Sequence, residues 1–189
     1  MTPLSRQEGV SNVEREGELE LTDELEAPLE QELKDAGIEV KSYRAVIHRP
    51  PHFKAAIPIL IRHMQMDKYP DLTKNFMAQA IAMKESNPYW ATLLELFEKT
   101  IAQSPQSSFA QGLAVALAKS WKEPELERLI ALCLDQKYGD PRILLADGLR
   151  RSKDSRAEAT LLKLSGDPRI GPQVTKWLKQ KSASKASTH

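Results

Sequence analysis

The apolar positions fall at helical spacing along most of the chain. Leu25, Leu29, Leu33 and Ala36 share one helical face, and Gly37 supplies a left-handed stop after them. Pro28 is expected in or near the first turn of that helix, where its missing N–H does least harm. Tyr43 and Val46 suggest a short helix ending before Pro50-Pro51. From about residue 52 to 180 almost every segment reads as helix, and no alternating run is long enough for a convincing strand. The flanks differ. Residues 1–21 carry many charges and few large apolar groups, predicting a flexible acidic arm, and residues 181–189 form a basic, small-residue tail. A helical domain over 22–180 lies between them.

That domain repeats. Four helices are expected to begin with a branched doublet set among other apolar residues: Ile59-Leu60, Leu93-Leu94, Leu129-Ile130 and Leu161-Leu162, spaced 34, 36 and 32 residues apart. Each is followed by a breaker: Tyr69-Pro70-Asp71, Ser104-Pro105, Gly139-Asp140-Pro141 and Gly166-Asp167-Pro168. A second helix then carries a short signature, "AQAI" (78–81), "AQGL" (110–113) or "ADGL" (146–149), with "TKWL" (175–178) as a degenerate fourth. Ala80, Gly112 and Gly148 are thus small at equivalent positions. Glycine inside a helix costs up to ~1 kcal/mol against alanine, so close approach of a neighbouring helix is expected there. Trp177 holds the matching place in the last repeat, as suits a terminal cap with no further helix to dock.

The tetrapeptide Gly-Asp-Pro-Arg occurs twice, at 139–142 and 166–169. Gly139 and Gly166 are expected to end a helix with positive φ, Asp140 and Asp167 to cap the next, and Pro141 and Pro168 to occupy its first position. Arg142 and Arg169 gain nothing from the helix dipole there. A local pair with Asp140 or Asp167 is the preferred reading, and contact with a partner is the alternative.

Helix pairs at a period near 34, turned by Pro or Asp, resemble HEAT-type repeats of the armadillo-like class. The tetratricopeptide period is similar, but its Trp and Gly-Tyr signatures are missing from the first helices. The stretch from "AAIPILIRHM" (55–64) through "YPDLTKNFMAQAIAM" (69–83) to "PYWATLLELFEKT" (88–100) is similar to small bacterial HEAT-repeat proteins, and the likeness covers residues 23–180. The resemblance implies an all-α fold, a right-handed α-solenoid of about four helical hairpins with an N-terminal capping helix. It also implies a scaffold, adaptor, regulatory or toxin-neutralising role. Two HEAT-like groups, alkylpurine DNA glycosylases and bilin lyases, do or assist chemistry, and no motif particular to either stands in this chain.

Composition narrows the class. The 189 residues suit one domain, and 41% hydrophobic and 28% charged residues suit a packed core in water. The longest apolar run, Ala55 to Ile61, is far below the ~20 residues of a membrane helix. No apolar stretch of a secretory signal occurs in the first 20 residues, and Cys133 is the single cysteine. A reducing, cytoplasmic, bacterial setting is the expectation. The net charge of +1 conceals an asymmetry: residues 1–40 hold 12 acids and 3 bases (−9), and the other 149 hold 14 acids and 24 bases (+10). The acidic arm is either a solvated leader or a competitor with an anionic partner for the basic domain.

Candidate chemistry is sparse. His48, His52 and His63 lie near Asp67, but His52 and His63 are about three helical turns apart, too far to share a metal. Cys133 sits in "LIALCLD" as a small buried hydrophobe. No nucleophile elbow, phosphate loop, dinucleotide fingerprint or zinc-protease motif is present. The expectation is therefore no catalytic residues, no metal and no cofactor. Core packing and end capping account for Trp90, Trp121 and Trp177. The second helices carry the candidate partner-binding strip: Lys74, Gln79, Gln111, Asp147, Arg150 and Arg151, with Gln79, Gln111 and Asp147 at one equivalent position of successive repeats. Lys176 and Lys179 extend its basic character. A protein partner is expected on this face, with nucleic acid as the alternative.

Overall fold

The computed structural model describes residues 12–38 and 53–186. Among them every regular element is helical: α1 (Asn12–Asp35), α2 (Ala56–Met64), α3 (Asp71–Ala80), α4 (Trp90–Gln103), α5 (Ser108–Ser120), α6 (Leu126–Leu134), α7 (Arg142–Arg150), α8 (Ser155–Leu164) and α9 (Gly171–Ala186), with short 3-10 turns between some of them. No described helix is long and apolar enough to cross a membrane. The segment around Tyr43 and Val46, with His48 and His52, lies outside the described residues.

Pro28 departs from its expected place near the first turn. Helix α1 begins at Asn12, ahead of the expected boundary at 22. Pro28 therefore lies in the middle of α1, where the Glu24 carbonyl loses its i+4 donor. The helix tolerates this because Pro28 is exposed while Leu29 and Leu33 are fully buried. Ala36 is exposed too, since the chain turns at Gly37 (φ 75°) and the Ile38 N–H donates to the Leu33 carbonyl at 2.9 Å, tucking Ile38 into the core. At the other end, α9 continues to Ala186, into the span expected to be a tail.

The four doublets fall in α2, α4, α6 and α8, and the four signatures fall in or at the end of α3, α5, α7 and α9. Packing follows chain order. α1 lies on α2; α2 pairs with α3, α4 with α5, α6 with α7 and α8 with α9; and α3, α5, α7 and α9 pack in succession. One contiguous core results, including Leu60, Leu93, Phe97, Leu113, Leu129, Leu145 and Leu161. Leu162 is 59% exposed, because Ala157, Thr160, Leu161 and Leu164 set the buried face of α8 and residue 162 falls outside it.

The small residues of the second helices have the expected use. A Cβ on Gly112 would lie 2.7 Å from the Asn75 carbonyl oxygen, and one on Gly148 would lie 2.8 Å from that of Ala118. Backbone meets backbone at α3–α5 and α5–α7, which offsets the helix-interior cost of glycine.

The two Gly-Asp-Pro-Arg turns do not behave alike. Gly139 has φ 58°, but Gly166 is not in the left-handed region; α8 ends there through right-handed turns such as Gly166 N–H to the Lys163 carbonyl. Asp167 caps the turn ahead of α9, accepting from the N–H groups of Arg169 (2.9 Å) and Ile170 (3.2 Å). Helix α9 itself starts only at Gly171, so Pro168 is not its first residue, contrary to expectation. Asp140 makes no such cap, since the α7 N-terminus has no side-chain acceptor. The arginines pair across the two turns: Arg142 with Asp167 at 2.5 Å and Arg169 with Asp140 at 2.9 Å.

Candidate functional site

The six strip residues divide into two environments. On α3, Lys74 lies over the Phe109 ring, 5.7 Å from its centroid, and lines a cleft of 360 Å³ shared with Asp71, Glu95 and Lys99. Gln79 donates to Asn75 Oδ1 at 3.0 Å, so its amide is already engaged by its own helix. Gln111 on α5 is exposed.

Asp147, Arg150 and Arg151 come together at the C-terminal end of α7. Gly148 brings that end onto Ala118 of α5, and the same approach carries Lys119 to Asp147. Asp147 accepts from Arg150 (2.9 Å), Arg151 (2.8 Å) and Lys119 (3.5 Å). Burial pushes its carboxyl up, but Arg151, Arg150 and Lys119 outweigh burial and hold it below the ordinary carboxylate range. The carboxylate stays ionised and organises three cations.

Two open clefts meet at Arg151. One, of 430 Å³, holds Lys119, Trp121, Lys122 and Lys153. The other, of 350 Å³, holds Arg150, Trp177 and Lys181. The Arg150 guanidinium stacks on Trp177, 5.3 Å from the ring centroid. Trp121 caps the end of α5, where its N–H donates to the Leu117 carbonyl at 3.2 Å. Both tryptophans are half-buried. Trp90, in contrast, is buried, with its indole N–H on the Leu117 carbonyl at 3.2 Å.

Lys119, Trp121 and Trp177 were not singled out as binding residues by the sequence reading, which assigned the tryptophans to packing. The available signal was weak: a lysine and a tryptophan at the end of α5, and a tryptophan where the other repeats carry a small residue. Only the α5–α7–α9 packing makes them neighbours.

Two further reactive groups among the described residues, His63 and Cys133, are sequestered. His63 is buried, its Nε2–H donating to Glu32 (2.9 Å) and its Nδ1 accepting from the Tyr69 hydroxyl (2.7 Å). Arg62 also engages Glu32. Burial above all, with Lys68 and Arg62 adding to it, holds His63 down to about 4, so the ring is neutral. Burial pushes the Cys133 thiol up to about 12, far from a reactive thiolate. Among the described residues no group of three or more His, Cys, Asp or Glu is placed to hold a metal ion. Comparison of the chain with protein-family models, with curated proteins and with solved structures finds no match in any of the three.

Proposed function

We propose that the chain is a non-enzymatic α-solenoid of HEAT-like hairpins whose second helices hold a protein partner, with the C-terminal ends of α5 and α7 and the middle of α9 as the centre of contact. The observation that carries this reading is the cluster of Lys119, Arg150 and Arg151 on Asp147, flanked by Trp121 and Trp177. Arginine and tryptophan are the side chains that most often carry binding energy between proteins, because a rigid planar group loses little freedom on contact. Three of the signature-bearing helices, α3, α5 and α7, supply the supporting rigidity, since their backbones meet at Gly112 and Gly148. Gln79, Gln111 and Asp147 extend the face along successive second helices.

The test is capture of partners from a native lysate with the wild-type chain and with a variant carrying Ala at Gln79, Gln111, Asp147 and Arg150. The wild type retains a partner that the variant loses, while helix content and melting temperature agree between the two. A partner retained equally by both removes the assignment of this face.

A further inference from the structure

Building on that scaffold reading, we infer that the ridge between Trp121 and Trp177 recognises an extended acidic segment of a protein. Six cations, Lys119, Lys122, Arg150, Arg151, Lys153 and Lys181, line the two clefts that join at Arg151. Asp147 offsets part of that charge through Lys119, Arg150 and Arg151, Lys181 pairs with Glu158 at 3.4 Å, and Glu123, the one acid in the lining, is engaged by Arg156 at 2.6 Å. Cations still outnumber acids along the two clefts, so the face carries a net positive charge.

The shape suits a strand of polypeptide better than a small molecule. Both clefts are open and share Arg151; Trp121 lines the first, where an apolar or aliphatic group can rest, and Trp177 in the second carries the Arg150 guanidinium. The arginines are held for the task. Arg150 is fixed by Asp147 on one side and the Trp177 ring on the other, and Arg151 by Asp147. A guanidinium has five N–H groups, so each retains donors for a carboxylate after meeting Asp147.

Asp147 also decides between two anionic ligands. A nucleic-acid backbone offers phosphate oxygens, which accept hydrogen bonds and repel a fixed carboxylate. A polypeptide can place an uncharged residue opposite Asp147, whose acceptor sites are filled by Arg150, Arg151 and Lys119, while its carboxylates meet the arginines. A carboxylate at the centre of the cations favours the polypeptide.

The experiment uses the full chain and a fluorescein-labelled oligoglutamate of about ten residues, spanning ~33 Å when extended, with oligothymidylate of the same length as the second probe. Anisotropy is expected to show the peptide bound, with affinity falling as NaCl is added. Arg150→Ala/Arg151→Ala weakens it by about tenfold or more, and oligothymidylate binds more weakly than the peptide. Arg128→Ala/Lys137→Ala removes the same charge elsewhere and leaves peptide affinity within about twofold; melting curves confirm that both variants are folded. Tighter binding of oligothymidylate, no peptide binding, or equal losses in the two double variants overturns the inference. If the peptide fails while lysate capture still depends on the strip, the acidic-segment chemistry is wrong and the scaffold reading stands.

Discussion

Gly139–Arg142 and Gly166–Arg169 are the same four residues, and the fold buries one arginine and exposes the other. Arg142 is 2% exposed, its partner Asp167 is 8% exposed, and its Nε–H also donates to the Cys133 carbonyl at 2.8 Å. Arg169 is 60% exposed and meets Asp140 at the surface. The aspartates exchange roles as well. Asp167 caps its own turn and takes the buried arginine, whereas Asp140 only meets the exposed one. Identical local chemistry therefore carries unequal energy, because desolvation and not the type of ion pair sets the cost of breaking it.

That inequality is open to attack in order of size. Arg142→Ala leaves the Asp167 carboxylate and the Cys133 carbonyl without their partner, and is expected to cost about 3–5 kcal/mol in urea unfolding. Arg169→Ala should sit at the other extreme. A smaller loss is expected from Gly148→Ala: the new Cβ meets the Ala118 backbone, so the substitution destabilises by about 1–3 kcal/mol where an open helix site would gain. A more stable Gly148→Ala protein would show that the α5–α7 approach is looser than described.

Acid titration sharpens the contrast between the two ends of the molecule. The folded value of His63, about 4, lies below its unfolded value of about 6.5. The unfolded chain thus binds the extra proton first, and stability present above pH ~6.5 is lost as pH falls toward 4. For Asp167, burial raises the carboxyl, but Arg142 and the N–H groups of Arg169 and Ile170 hold it below its ordinary range. Its contribution is full above pH ~3.9 and disappears at lower pH. Melting temperatures of wild type and His63→Gln across this range should differ in slope only in the upper window. A common slope would refute the burial of a neutral ring.

Between the turns themselves, Gly139→Ala places a side chain at φ 58° and costs about 1–2 kcal/mol. Gly166→Ala meets only the Lys163 carbonyl oxygen at 3.7 Å in right-handed backbone, and chemical denaturation should find it neutral or slightly stabilised. Equal effects would erase the distinction. The smallest change is Arg169→Ala, within about 0.5 kcal/mol of wild type by the same measurement; a loss approaching that of Arg142→Ala would show that the exposed pair is as desolvated as the buried one.

The order of helices, the breakers between them and the left-handed Gly37 and Gly139 were determined by residues near in sequence, and Gly112 and Gly148 marked close approaches whose partners, Asn75 and Ala118, lie 30 or more residues away. Apolar periodicity selects helix, and glycine inside a helix marks a contact because its local cost requires one. The true extent of α1 was hidden, since its first turns hold few apolar residues to mark a buried face and Pro28 argues against helix locally. The meeting of Asp147 with Arg150 and Arg151 was legible because they stand at i, i+3 and i+4 along α7 and its C-cap. Lys119, Trp121 and Trp177 were not, and neither were the crossed pairs Arg142–Asp167 and Arg169–Asp140. Those depend on which helix ends and turns come to lie side by side, and charge partners 25 or more residues apart meet only after the helices have packed.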